Sequence, residues 1–307
     1  MIVYREFSSL AGDLGFSART LYGVSYHRAS HYQTVRIPKA NGEYRELHVP
    51  DALLKSIQRR ILSVILDREE ISPYATAYRY GGGIAKNAAP HVGKPVVLKL
   101  DIRHFFDRVI YPLVKDRAFP ADRFSESNRV LLTMLCMYRD ALPQGAPTSP
   151  AVSNIIMREF DDTVGAWCAR QQIAYTRYCD DMTFSGDFDP KPVIQKVRQE
   201  LQKMGFFLND KKTVVVRDGQ KKLVTGVVVN RRLRAPAEYR RNLRQELYYC
   251  RRFGVSRHLE HRALQQTEGQ YLRGLLGRVQ FALQLDPDDR ELRDDRAWLL
   301  SRISDCT

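Results

Sequence analysis

Cysteine is scarce in this 307-residue sequence: Cys136, Cys168, Cys179, Cys250 and Cys306 are odd in number and never form a Cys-x-x-Cys pair. That excludes a disulfide-stapled scaffold and a zinc ribbon, and predicts free, mostly buried thiols in a reducing compartment. No apolar run is long enough to cross a bilayer. The first residues, Met-Ile-Val-Tyr-Arg-Glu-Phe, carry Arg5 and Glu6 and lack the apolar stretch of a signal peptide. A cytoplasmic protein with no membrane partner is therefore expected. Repeats, low-complexity tracts and Gly/Ser linkers are absent too, so the parts of the chain are expected to share interfaces.

Acidic residues are outnumbered. Lys and Arg total 49 against 35 Asp and Glu, a net charge of +14, while 44% hydrophobic and 27% charged residues exclude a disordered tail. Such a surplus predicts a polyanionic partner, nucleic acid before an acidic membrane surface. It is concentrated between Lys211 and Arg262, where fifteen Lys/Arg stand against four acidic residues. Tyr239, Tyr248, Tyr249 and Phe253 interleave with Arg240, Arg241, Arg244, Arg251 and Arg252. Clustered bases among aromatics favour a surface gripping a phosphate backbone over a merely solvated helix face.

Three parts can be drawn. In residues 1–95, Val35 to Val49 reads as two extended runs around Asn41-Gly42, a hairpin. A helix at 51–68 follows, with Leu54, Ile57, Ile61, Val64 and Ile65 on one face. In residues 96–230, strands are predicted at Val96–Ile102, Tyr175–Tyr178, Met182–Ser185 and Leu223–Val229. Residues 231–307 read as helices broken at Gly254, Gly269 and Asp286-Pro287.

Two strands carry carboxylates where apolar residues are the rule. Asp101 ends Val96-Val97-Leu98-Lys99-Leu100-Asp101-Ile102, a costly position unless the charge is paired, binds a cation or caps the next helix. Asp180-Asp181 lies between β-formers in Tyr175 to Ser185, which predicts the tip of a tight hairpin. The other Asp-Asp pairs, 161/162, 288/289 and 294/295, have polar or helical neighbours and read as solvated. Adjacent anions at a tip raise each other's pKa unless a divalent cation neutralises them. If the two segments share a sheet, three hard oxygen ligands converge, a set suited to Mg²⁺ with substrate phosphates. Between them, Leu142-Pro143-Gln144-Gly145-Ala146-Pro147-Thr148-Ser149-Pro150 reads as a stiff loop. Ser149 would cap the helix that follows, whose buried stripe is Val152, Ile156, Phe160, Val164 and Trp167. The loop either feeds a core helix or forms a platform, with Gln144 bonding a ligand and Gly145 letting it approach.

The order Leu-Asp-Ile-Arg-His-Phe-Phe-Asp, Gln-Gly-Ala-Pro-Thr-Ser-Pro, Tyr-Cys-Asp-Asp and Gly205-Phe-Phe-Leu-Asn-Asp-Lys-Lys-Thr213 resembles the motif series of reverse transcriptases, over residues 35 to 230. Asn87-Ala88-Ala89-Pro90-His91 and Val224-Thr225-Gly226 resemble the bacterial retron reverse transcriptases. Cys179 departs from the alanine usual there, keeping a small residue. The resemblance implies an α+β, right-hand polymerase fold: fingers in 1–95 with part of 115–148, a palm of antiparallel sheet and packed helices in 96–230, and a helical thumb in 231–307. It implies that Asp101, Asp180 and Asp181, with the Ile102 carbonyl, hold two Mg²⁺ ions. Phe106 would act as the steric gate selecting dNTPs, and Gln144 and Gly145 would border nucleotide and template. Arg45 and Lys39 would clamp the triphosphate, and Lys212 would protonate the pyrophosphate leaving group. Asn87, His91 and Thr225 would touch the structured non-coding RNA that serves as template and primer. Arg240, Arg241, Arg244, Arg251 and Arg252 would hold the RNA–DNA hybrid. The product implied is RNA-linked single-stranded DNA, in an anti-phage system with an effector protein as a further partner. Another bacterial reverse transcriptase, group II intron-like or defence-associated, or a non-catalytic RNA-binding relative, shares much of this pattern.

Overall fold

The computed structural model describes residues 3–38 and 42–305. Helices α1 (Phe7–Leu14) and α2 (Ala18–Tyr26) precede strands β1 (Tyr32–Pro38) and β2 (Tyr44–Pro50), then α3 (Ala52–Val64) and α4 (Ile84–Ala88). Next come β3 (Val96–Asp101), α5 (Tyr111–Ala118), α6 (Glu126–Cys136), α7 (Ser149–Arg170), β4 (Ala174–Tyr178), β5 (Asp181–Gly186), α8 (Pro190–Lys203) and β6 (Val214–Val216). The chain closes with β7 (Leu223–Val224), β8 (Val227–Val228), α9 (Ala237–Phe253), α10 (Val255–His261), α11 (Glu268–Leu285) and α12 (Arg290–Asp305). The class is α+β, as expected. Two compact units emerge: Met1–Gly83, Leu98–Phe184 and Phe188–Val215 form one, and Ile84–Val97, Ser185–Asp187 and Val216–Thr307 the other.

In the first unit, strand order β4-β5-β3-β6 sets the carboxylate-bearing strands side by side. Nearly continuous burial along β3, interrupted only at the half-buried Lys99, follows from its mostly apolar run, since both faces of the strand are covered. Leu98 and Leu100 of β3, Phe184 of β5, the α3 residues Leu54, Ile57 and Ile61, and Val152, Ile156, Phe160 and Val164 of α7 share one core. Each such side chain contributes roughly 1.5–3 kcal/mol on burial. β1 and β2 pair antiparallel from Tyr32 opposite Pro50 to Pro38 opposite Tyr44. The helix expected at 51–68 is α3 followed by a 3₁₀ turn at Leu66–Arg68.

Helix α7 corrects two expectations. Its N-cap is Thr148, and Ser149 sits inside the first turn, its hydroxyl donating to the Pro143 carbonyl at 2.7 Å. Asp161 is not solvated but fully buried, for a reason that emerges at the site. The same helix abuts Tyr74 so closely that a Cβ on Gly165 would stand 2.1 Å from the ring. Gly165→Ala is therefore expected to destabilise by about 1–3 kcal/mol through overpacking, despite alanine's better helix propensity. A urea titration checks this; a stabilised variant would contradict it.

In the second unit the single strand expected over Leu223–Val229 is instead the β7-β8 hairpin. Thr225 (φ 45°) and Gly226 (φ 79°) both adopt the left-handed conformation a tight turn demands. The helices expected from 231 onward form, with one correction. Gly269 lies inside the first turn of α11, and Thr267 makes a capping box with Gln270, so the break falls before Thr267. Leu243, Leu247, Leu272, Leu275, Val279 and Leu299 close a core among α9, α11 and α12. Cys136, Cys168, Cys179 and Cys250 are free and buried, as expected, while Cys306 lies outside the described residues.

His91 is fully buried, its Nδ1 2.7 Å from the Ser185 hydroxyl. Burial, followed by the Lys94 charge, pushes its pKa down to about 4. The unfolded chain takes up that proton near pH 6.5, so folded stability falls as pH drops from 6.5 towards 4. The loss should reach about 3 kcal/mol. Denaturant midpoints at neutral and acidic pH should show it, and His91→Gln should flatten the pH slope; an unchanged slope would contradict the assignment.

Candidate active site

The site begins where β3 runs out. Asp101 is buried at 5% exposure and caps no helix. Its Oδ1 accepts from Asn209 Nδ2 at 2.9 Å, its Oδ2 from Lys212 Nζ at 2.8 Å, and its carbonyl from the Asn209 amide at 2.8 Å. The next amide, of Ile102, donates to the Asp180 carbonyl at 3.2 Å. That bond ties the end of β3 to the β4–β5 turn. Cys179 takes a left-handed φ of 61° in this turn, a conformation uncommon for a residue with a Cβ.

The geometry brings together most of the residues that the sequence singled out. A cleft of about 1000 Å³ is lined by Asp101, Ile102, Asp180, Asp181, Lys212, Arg45, Phe106, Gln144 and Gly145. The cleft also shows in the electrostatics. Asp180 is raised above the ordinary carboxylate range by burial, with the Asp101 charge adding to it. Asp181 reaches solvent at the cleft yet is crowded by its walls; this desolvation, then the charges of Asp180 and Asp101, push its pKa up to about 6. Lys212 is held above its usual value by its hydrogen bond to Asp101.

Three hard oxygen donors that repel one another, with one ammonium among them, fit a divalent cation by chemistry. Among the described residues no three His, Cys, Asp or Glu side chains stand ready-grouped for a metal. At Asp101, Asn209 and Lys212 take both oxygens.

Arg177, which the sequence reading passed over, organises the turn. It is completely buried on β4; Nε and Nη2 bond Asp161 at 2.9 and 2.6 Å, Nη2 reaches Asn154 Oδ1 at 3.2 Å, and Nη1 donates to the Cys179 carbonyl at 2.8 Å. Tyr175 donates its hydroxyl to Asp161 at 2.7 Å. The Arg177 carbonyl accepts from both the amide and hydroxyl of Thr76. A buried, multiply bonded guanidinium thus fixes the backbone immediately before Asp180.

The loop between the strands is tied down as well. Gln144 accepts through its carbonyl from the His48 amide at 2.7 Å. At Gly145 (φ 121°) a Cβ would stand 3.0 Å from the His48 carbonyl. Glycine is thus required here by the approach of the β2 backbone, where the sequence suggested the approach of a ligand. Phe106 is half-buried beside Phe105, ring centroids 5.3 Å apart. Arg45 is exposed on β2, and Lys39 lies outside the described residues.

The remaining residues singled out by the sequence lie in the second unit. Asn87 (1% exposed) and His91 are buried in the second unit, Asn87 donating to the Thr225 hydroxyl at 3.2 Å. Their side chains hold the fold there and present no surface to RNA, correcting that expectation. Of the five arginines on α9, Arg241, Arg244 and Arg252 are exposed and Arg240 is half-buried. Arg251 pairs with Asp295 at 2.8 Å and lies over Trp298.

Residues 37–272 match the family model of the reverse transcriptase (RNA-dependent DNA polymerase). This chain belongs to the reverse transcriptase family, with retron enzymes as its relatives. It is 36% identical to the retron Mx65 reverse transcriptase of Myxococcus xanthus over 84% of this chain and 66% of that one. Identity to the retron Mx162 reverse transcriptase of the same organism is 31%, over 91% of this chain and 64% of that one. The retron Ec83 reverse transcriptase of Escherichia coli is 31% identical over 84% of both. The chain thus spans just under two thirds of the two Myxococcus reverse transcriptases. No helix among the described residues is long and apolar enough to cross a membrane.

Proposed function

We propose that this protein is an RNA-directed DNA polymerase, using dNTPs to copy part of a structured non-coding RNA into DNA that stays linked to RNA. The observation that carries the reading is the meeting of Asp101, Asp180 and Asp181 in one cleft with Lys212 and Arg45. These three carboxylates, with the Ile102 carbonyl, would hold two Mg²⁺. When bound, such ions make a primer hydroxyl more acidic and neutralise charge on the phosphates. Lys212, hydrogen-bonded to Asp101, would give its proton to a departing pyrophosphate oxygen. Arg45, exposed on β2, offers a bidentate donor pair to a triphosphate, and Lys39 adds to that clamp. Phe106 would crowd a ribose 2′-hydroxyl, while Gln144 and Gly145 border nucleotide and template.

In this reading residues 1–95, with part of 115–148, act as fingers, 96–230 as palm and 231–307 as thumb. Arg241, Arg244 and Arg252 would follow the hybrid's phosphates, and Thr225 would sit near the structured RNA. Service in anti-phage defence beside an effector protein, in the cytoplasm, is the cellular role that the motif resemblance implies.

The test is incorporation of labelled dNTPs by the full chain on an RNA template with a DNA primer and Mg²⁺. Template-dependent DNA synthesis is expected; none, on any primed RNA, would overturn the proposal. Phe106→Ala is expected to admit ribonucleotides, losing about 10–100-fold of dNTP preference as a close contact is removed. Competing dNTP and NTP incorporation measures this, and unchanged discrimination would reject Phe106 as the gate.

A further inference from the structure

Beyond the cleft, the second unit contains a cavity of about 730 Å³ among α9, α10 and α11. Three aromatic rings wall one side. Tyr249 stacks on Phe253 (centroids 5.9 Å apart, 29° between planes) and on His258 (5.8 Å, 14°). Phe253 is 51% exposed although it is large and apolar. Beneath them runs a polar chain: His258 Nε2 lies 3.0 Å from the Tyr271 hydroxyl, which donates to Glu246, and Glu246 also pairs with Arg278 at 3.4 Å. The one acid of the lining is therefore neutralised from within. Arg257 and Arg262 line the same cavity, and among the described residues neither pairs with a carboxylate. Asn242 and Gln245 add amide groups.

We propose that this cavity binds one unpaired nucleotide of a single-stranded nucleic acid, its base against Tyr249 and Phe253 and its phosphate against Arg257 and Arg262. Exposed aromatic faces take any base by stacking, and free guanidiniums take the phosphate. The amides of Asn242 and Gln245 can meet donor and acceptor groups on a base edge. A base paired inside a duplex would have to leave its stack to lie against these rings, so the cavity favours single strand over duplex. It is distinct from the run Arg241, Arg244 and Arg252, none of which lines the cavity. The inference does not depend on polymerase chemistry, because binding can be read without divalent cations.

The experiment is fluorescence anisotropy with the full chain and three probes: a short fluorescein-labelled oligo(A), the same strand paired into a duplex, and AMP as competitor. Phe253→Ala and Tyr249→Ala should each weaken single-strand binding by ~5- to 150-fold, the range for losing one stacked base, and duplex binding by less than about twofold. Arg257→Gln should lower the salt dependence of single-strand binding by about one counterion. Tyr249 also packs on His258, so Phe253→Ala, whose ring is half in solvent, keeps the test valid should Tyr249→Ala fail to fold. Unchanged single-strand affinity in Phe253→Ala, or equal losses for strand and duplex, would overturn the proposal. AMP competing as strongly as the oligomer would overturn the strand assignment in favour of a free nucleotide.

Discussion

Asp161→Ala is expected to destabilise the first unit by about 3–5 kcal/mol, among the largest effects of any single substitution here. Removing this carboxylate leaves the Arg177 guanidinium charged in a position with no solvent exposure and strips Tyr175 of its acceptor. The measurement is urea unfolding, where the midpoint should fall sharply. The double replacement Asp161→Leu with Arg177→Met should recover most of the loss, since the penalty lies in the orphaned charge rather than in the absent pair. It should not recover activity, because Arg177 Nη1 would no longer hold the Cys179 carbonyl that sets the turn. A drop below about 1 kcal/mol in Asp161→Ala would contradict this account of the pair.

Asp180→Asn and Asp181→Asn are expected to reduce dNTP incorporation on the order of 10³-fold or more, the equivalent of several kcal/mol of lost charge stabilisation. The same changes should leave the fold intact and, without divalent cations, slightly stabilise it. Both carboxylates are raised first by desolvation, Asp180 also by the Asp101 charge and Asp181 by those of Asp180 and Asp101, so neutralising either relieves strain that the folded state carries. Because Asp181 reaches solvent, the gain is small, ~1–2 °C in Tm. A raised carboxylate pKa means the unfolded state holds the proton less tightly, so this strain grows as pH rises through 4 to 6 and is absent below. Incorporation and Tm measured on the same preparations check both signs. A variant that keeps its activity, or loses it only by unfolding, would contradict the assignment.

What the sequence made legible depended on whether the signal was local. β3 was readable because its run is nearly all apolar, with Lys99 inside it and Asp101 at its end. The β1–β2 hairpin announced itself in two extended runs around Asn41-Gly42, and Asp180-Asp181 stood out from three other Asp pairs by its β-forming neighbours. Asp161 was misread for the converse reason. Its partner Arg177 is sixteen positions away on another element, and nothing local separates a buried aspartate from a solvated one on a helix. An arginine among the β-formers of β4 was the one available hint. Asn209, which holds Asp101, lay within a quoted motif but has no charge to draw notice. Gly145 and Gly269 show how a glycine's purpose depends on what approaches it: His48 reaches the first, whereas the second is an ordinary helical position behind a strong Thr267 cap. Asn87 and His91 stand together in sequence with polar side chains, and only burial tells a structural hydrogen bond from a contact with a partner.

The central claim is that Asp101, Asp180 and Asp181 act as one cation-binding set, and Mn²⁺ binding followed by electron paramagnetic resonance tests it most directly. The full chain should bind Mn²⁺, releasing Asp101 from Lys212 as it does so. Asp101→Asn and Asp180→Asn should each weaken binding by at least the ~10–100-fold that losing an outer hydrogen-bond partner of a metal ligand costs. Identical Mn²⁺ affinity in the wild-type chain and both variants would contradict it.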